Sequence, residues 1–345
     1  MSAPSFTVVS GAQVHRALAA DPAAVLDVVE RAYRLHGAGQ AVNPPSHFLK
    51  FPDRPGARII ALPASLGGAG AVDGIKWISS FPQNVATGLP RASAVLVLND
   101  PATGYPYACL ESSIISATRT AASAVLAADR LTRGRTRPAR VGFVGAGLIA
   151  RYVHTYLTAT GWQFDQVGVH DLNPDHARQW RDYATGYPAP VRVHDDVESL
   201  IRTSDLVVFA TVAPAPHVHD PALLAHAPLV LHLSLRDLSP EIILGATNVV
   251  DDIDHCLTAG TSPHLAEQLV GHRDFVHATL YDVLTGRYRA PVGRPLVFSP
   301  FGLGVLDLAV GRYAYDRAAA AGDLTGIDDF FYELSRYGGR GAPCP

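Results

Sequence analysis

The run Val141-Gly142-Phe143-Val144-Gly145-Ala146-Gly147-Leu148-Ile149-Ala150 decides the fold. Four residues of strand character lead into G-x-G-x-x-A, and a helical pattern follows at once. Glycines there permit a tight turn and let backbone approach a pyrophosphate, whose charge the start of the helix favours. A bare G-x-G-x-x-A is weak, because glycine-rich turns also arise for steric reasons alone. Here the next strand pattern, Gln166–His170, runs straight into Asp171, and a carboxylate at that point accepts hydrogen bonds from ribose hydroxyls. The bland alternative is an empty turn with Asp171 capping the next helix. Strand, loop, helix and acid together favour a dinucleotide site formed by Gly145, Ala146, Gly147, Leu148, Ile149 and Asp171. Asp171 would repel a 2′-phosphate, and residues 170–174 contain no arginine to receive one, so the cofactor expected is NAD.

Outward from this loop the chain changes rhythm. Residues 138–300 alternate short apolar strands with helical segments: 141–144, 166–170, 191–194, 206–210, 229–234 and 248–250 are strand-like, and 148–160, 174–183 and 197–203 are helical. That alternation predicts a parallel, doubly wound sheet. Residues 1–130 instead carry a helical pattern over Val14–Leu35 and then strand-like runs at 47–51, 58–62, 74–81, 94–99 and 105–110. Turn signals such as Asp53-Arg54-Pro55-Gly56 separate these runs and predict an antiparallel sheet. Ser112–Leu131 reads as one alanine-rich helix, and Leu303–Ala321 as another that returns to the first region.

Composition narrows the classes. The chain has 345 residues, 48% hydrophobic and 17% charged, which are globular values. A formal net charge of −3 gives no electrostatic case for nucleic acid or an anionic membrane. The start lacks the pattern of a secretory leader and no apolar run reaches spanning length, so a cytoplasmic protein is expected. Cys109, Cys256 and Cys344 are far apart, and the fifteen histidines are scattered. His217 and His219 share one loop without a surrounding carboxylate–histidine pattern, so no metal site is expected.

Three further stretches carry candidate chemistry. In Gly74–Asn84, alternation puts Ile75, Trp77, Ser79 and Phe81 on one side of a strand and Lys76 on the other. A mid-strand lysine is ordinarily solvated. Arg119 lies among small residues in Thr118-Arg119-Thr120-Ala121-Ala122, where its planar fork suits a carboxylate or phosphate, although a solvated helix arginine is the commoner case. Asp237 follows a strand at residues 231–234, at the carboxyl edge where parallel sheets hold ligands. Its bland reading is a helix cap before Ser239-Pro240-Glu241.

Taken in order, these segments resemble the ornithine cyclodeaminase/μ-crystallin family across nearly the whole chain. The resemblance rests on Lys76, Phe81-Pro82-Gln83-Asn84, Gly88-Leu89-Pro90, Thr103-Gly104-Tyr105-Pro106 and Arg119-Thr120-Ala121-Ala122. It is nearer to the branch of N-(2-amino-2-carboxyethyl)-L-glutamate dehydrogenases. The segments that carry this are Asn43-Pro44-Pro45-Ser46, Phe48-Leu49-Lys50, Trp77–Pro82, Ser113–Ala117 and Val249-Val250-Asp251-Asp252. Ornithine cyclodeaminases proper carry G-G-D-x-x-G-K around their aspartate, where this chain has Ser234-Leu235-Arg236-Asp237-Leu238-Ser239-Pro240.

The resemblance implies an α/β fold in which a Rossmann doubly wound sheet, residues 133–302, is inserted in a split α+β dimerisation and substrate domain, residues 1–132 plus 303–345. Lys76 then faces a cleft rather than solvent. The implied reaction is NAD-dependent oxidation and hydrolysis of the secondary amine to L-2,3-diaminopropionate and 2-oxoglutarate, supplying a siderophore or peptide antibiotic, by a homodimer. In that scheme Asp237 is the general base, Lys76 holds a carboxylate or assists proton transfer, and Arg119 clamps a substrate carboxylate, with Lys50 as a second anchor. Thr211 and Val212 lie along the cofactor, and Gly302 belongs to a segment closing over it. The alternatives are a cyclodeaminase or ketimine reductase of the same family, or a binding protein of the μ-crystallin kind with little turnover.

Overall fold

The computed structural model describes residues 5–186 and 189–332. Two compact units divide the chain, one drawn from residues 1–21, 38–116 and 304–345, the other from 22–37 and 117–303.

The first unit is built on a mixed sheet. Its strands are β1 (Phe6–Val9), β2 (Ala41–Val42), β3 (His47–Lys50), β4 (Arg58–Leu66), β5 (Val72–Ser80), β6 (Ala92–Asn99) and β7 (Pro106–Glu111). The antiparallel body β4–β5–β6–β7 follows from tight turns between the strands. Its central pairing runs unbroken from Arg58 opposite Ser80 to Leu66 opposite Val72. The turn signals do not show that β1 adds parallel to β7, or that Thr325–Ile327 closes the edge against β1. The face carrying Leu96, Leu98 and Leu110 is buried. The returning helix Gly304–Ala320 packs on β4, β5 and β6 from this side. Contact is so close that a Cβ on Gly311 would stand 2.1 Å from Leu96 Cδ2. The opposite face is open and apolar. Register puts Val8, Leu49, Trp77 and Val95 on it, all exposed.

The helical pattern at Val14–Leu35 is two helices rather than one: α1 (Gly11–Ala19) and α2 (Pro22–Gly37). Ser10 and Gln13 form a capping box that starts α1. The chain breaks at Asp21-Pro22, because a proline has no amide to continue the ladder and suits the first turn of a new helix. The alanine-rich stretch is a single helix, α3 (Ser113–Leu131).

The second unit contains the doubly wound sheet. Its strands are β8 (Arg140–Val144), β9 (Gln166–His170), β10 (Val191–Val193), β11 (Leu206–Phe209), β12 (Leu229–His232), β13 (Thr247–Val250), β14 (Val276–Thr279) and β15 (Leu296–Ser299). They pair in parallel throughout, in the order β10-β9-β8-β11-β12-β15-β13-β14. The order reverses beside β8, and α4 (Leu148–Ala159) leaves from there. Fully buried strands such as Leu206–Phe209 explain why continuous apolar runs marked this region. α2 belongs to this unit, where Tyr33 hydrogen-bonds Ser123 of α3 at 2.6 Å. Cys109 and Cys256 are free thiols, and Cys344 lies outside the described residues. Among the described residues no helix is long and apolar enough to cross a membrane.

One buried imidazole gives this unit a pH dependence. His154 of α4 packs against Phe143 and Trp180, and burial pushes its pKa from 6.5 down to about 4. The unfolded chain therefore binds the extra proton between those two values. Stability from this site is complete above about pH 6.5 and declines as pH falls toward 4, by on the order of 2–3 kcal/mol. Denaturant melts across that range should show a shallower loss in His154→Leu than in the wild type. Parallel curves would refute the assignment.

Candidate functional site

The phosphate loop is held by a steric constraint. Gly145 has φ +94°, and a Cβ there would lie 2.6 Å from the Ala210 carbonyl oxygen at the end of β11. Gly147 is the N-cap of α4 and supplies no side-chain acceptor, which leaves the amides of the first turn directed at the loop. Beyond β9, Asp171 Oδ2 accepts the Ala146 amide at 2.8 Å, and Oδ1 accepts the Asn173 amide at 2.9 Å. Asp171 is not the helix cap, since Asn173 takes that role. One lone-pair direction of the carboxylate serves the phosphate loop and one the turn into the next helix, and the others suit vicinal hydroxyls. Arg178 is paired with Asp175. Leu148 and Val212 are exposed at the same edge of the sheet.

On the other side of β8, the ends of β11 and β12 converge on Asp237. The turn after β12 puts Leu235 at φ +73°, a conformation that costs a branched side chain about 1–2 kcal/mol. Asp237 has no solvent exposure. Its Oδ1 accepts from Thr211 Oγ1 and stands 3.1 Å from His217 Nε2. Its Oδ2 accepts from Ser234 Oγ at 2.5 Å and stands 3.2 Å from His232 Nε2. Burial works to raise this carboxyl's pKa. The hydrogen bonds from His217, His232 and Ser234 outweigh it and hold the group well below the usual carboxylate range. The cap of the following helix is Ser239, not Asp237. His217 is the exposed end of the cluster. The sequence around His217 and His219 gives no sign of this pairing, because the carboxylate lies twenty residues on.

Arg119, Ile149 and Gly302 come together in one cavity of about 160 Å³, with Leu233, Leu235 and Phe301. Gly302 has φ +96°, and a Cβ on it would meet the Arg119 guanidinium at 2.5 Å. Buried Asp251 fixes this segment by accepting the amides of Phe301 and Gly302 at 2.9 and 2.7 Å. Its carboxyl is pushed up by burial, against the lowering effect of those amides.

In the first unit Lys76 lies on the buried face and Trp77 on the open one. Lys76 Nζ donates to Asp307 Oδ2 at 2.7 Å, and the two side chains are only 2% and 0% exposed. Asp307 was missed because its partner is 231 residues away, although a lone acid within Val305-Leu306-Asp307-Leu308 is a signal in itself. Lys50 is exposed on β3. Among the described residues no group of His, Cys, Asp or Glu is arranged to hold a metal ion.

A parallel sheet that reverses at a glycine phosphate loop, with an acid closing the next strand, defines a Rossmann-type α/β protein. The chain belongs to the ornithine cyclodeaminase/mu-crystallin family, whose model matches residues 7–322. It is 29% identical over 309 residues to the alanine dehydrogenase of Archaeoglobus fulgidus, covering 85% of this chain and 89% of that one. It is 28% identical over 309 residues to the N-((2S)-2-amino-2-carboxyethyl)-L-glutamate dehydrogenase of Staphylococcus aureus, with the same coverage of 85% and 89%. Its fold matches an archaeal alanine dehydrogenase dimer with bound NAD, with TM-score 0.84, 24% identity, and coverage of 94% of this chain and 100% of that one.

Breaking the Lys76–Asp307 pair from one side leaves a buried charge uncompensated. Lys76→Met should lower unfolding stability by about 3–5 kcal/mol, and Lys76→Met/Asp307→Leu should recover most of that loss. Equal stability of the single variant and wild type in urea melts would remove the pair as a structural element.

Proposed function

We propose that this chain is an NAD-dependent amino-acid dehydrogenase that oxidises N-(2-amino-2-carboxyethyl)-L-glutamate at the Cα of its glutamate portion. Water adds to the resulting imine, and the C–N bond breaks to release L-2,3-diaminopropionate and 2-oxoglutarate. The observation that carries the reading is the pairing of two features at one edge of one sheet. Asp171 and the loop stand on one side of β8, and the His217–Asp237 pair stands beyond β11 and β12 on the other. Open α/β sheets bind ligands at this edge, where the strand order reverses.

The residues fit NAD. Gly145 and Gly147 clear the loop, the uncapped start of α4 accepts a pyrophosphate, and Asp171 accepts ribose hydroxyls. The existing Arg178–Asp175 pair offers nothing to a 2′-phosphate. NAD supplies the hydride acceptor when bound. His217, aligned by Asp237, takes the proton from the substrate nitrogen and returns one as the C–N bond breaks. Asp237 stabilises the ring while it is charged, and His232 and Ser299 continue the hydrogen-bonded chain behind it. Arg119 presents a planar fork to a substrate carboxylate. Lys76 and Lys50 are assigned carboxylate contacts, with Asp307 holding the Lys76 ammonium in position. The staphylococcal relative is named for this amine, and the archaeal relative for alanine.

We assign the open face of the first sheet to a second copy of the chain. Exposed Val8, Leu49, Trp77 and Val95 form an apolar surface of the kind that homodimers bury. The dimeric archaeal alanine dehydrogenase supports this assembly.

Two measurements test these readings. The amine plus NAD should yield NADH, 2-oxoglutarate and diaminopropionate in equal amounts. NAD-bound protein that turns over alanine but not this amine would replace the substrate. Light scattering should report a dimer that Trp77→Glu/Val95→Glu converts to monomer, and a wild-type monomer would sink the assembly.

A further inference from the structure

The stretch Arg130-Leu131-Thr132-Arg133-Gly134-Arg135-Thr136-Arg137-Pro138-Ala139-Arg140 carries five arginines and no acid, and the reaction above uses none of them. It runs from the end of α3 into the start of β8, whereas the phosphate loop leaves the other end of that strand. Arg130 and Arg137 share Asp129 at 3.3 and 2.9 Å, Arg137 also stacks over Trp162, and Arg140 pairs with Asp205. Ion pairing accounts for those three.

Arg133, Gly134, Arg135 and Arg137 line a cavity of about 260 Å³ together with Asp129 and Thr132. Pockets for drug-sized ligands run to roughly 300–1,000 Å³, so the fit here is to something small. The segment between β14 and β15 brings a further arginine. Arg135 Nη2 donates to the carbonyls of Ala290 and, at 3.0 Å, of Pro291. This tie seats the adjacent Arg289 across Gly134, where a Cβ would stand 3.2 Å from its Nη2.

Carbonyls hold Arg135 without bringing a formal charge. Neither it nor Arg133 nor Arg289 enters an ion pair among the described residues. A solvated arginine just past a helix end is ordinary, because it offsets the negative end of the dipole. Arg289 falls outside that account, since it belongs to another segment and is fastened beside the cavity through its neighbours. Like charges gathered in this way repel, and a multiply charged anion removes the repulsion while satisfying several planar forks. A phosphoryl group offers up to two charges and three strong acceptor oxygens in a small volume.

We propose that Arg133, Arg135 and Arg289 form a binding site for a small phosphoryl anion, at the opposite edge of the sheet from the phosphate loop. The site does not depend on the reaction proposed above.

The full-length protein, saturated with NADH to fill the phosphate loop, is titrated calorimetrically with inorganic pyrophosphate, glycerol 3-phosphate and succinate. Wild type should hold one of the two phosphoryl compounds at least about tenfold more tightly than succinate, the scale of one hydrogen bond between charged groups. Tighter pyrophosphate supports the site with a free polyphosphate as ligand, and a tighter ester supports it with a phosphorylated metabolite. Arg133→Gln and Arg289→Gln change exposed side chains, so each should fold, weaken the phosphoryl compound about tenfold and leave NADH affinity unchanged. Arg119→Gln should leave this binding as it is. No binding by wild type, succinate held as tightly, or a loss with Arg119→Gln but not with Arg289→Gln would each overturn the site.

Discussion

At Gly145 the backbone turns so close to the Ala210 carbonyl that no side chain fits between them. This contact brings the end of β8 against the end of β11, and much of the second unit's chemistry follows from it. Asp171 tethers the loop from one side through the Ala146 amide. Thr211, one residue beyond Ala210, bonds the carboxylate of Asp237 on the other. A turn set by sterics therefore aligns a nucleotide loop and a carboxylate–histidine pair along a single edge.

Both units keep carboxylates away from water, and in each case the partner decides the role. Asp307 faces an ammonium and forms an internal ion pair. Asp251 faces backbone amides and fixes the segment that lines the Arg119 cavity. Asp237 is surrounded by Thr211, His217, His232 and Ser234, of which His217 is the exposed one. Buried charge is expensive, so these three positions are where stability has been given up for position.

The legible part of the protein lay in short-range patterns. The strand–loop–helix run at residues 141–150, the turn signals between β4 and β7, and the alanine-rich α3 all encode their structure within a few residues. Segments past residue 236 were harder. The helices Pro240–Gly245 and Ile253–Cys256 and the strands β14 and β15 are too short for periodicity to develop. The break at Asp21-Pro22 was hidden by apolar spacing that continues across it.

Local sequence by itself determined the nucleotide loop, the parallel sheet that carries it, and the presence of Lys76, Arg119 and Asp237 as chemical candidates. Only the tertiary structure decided what those candidates do, because pKa and orientation depend on neighbours that the chain brings from far away. Lys76 acquires its partner from the returning helix, and Asp237 its donors from the segments that follow β11 and from the end of β12.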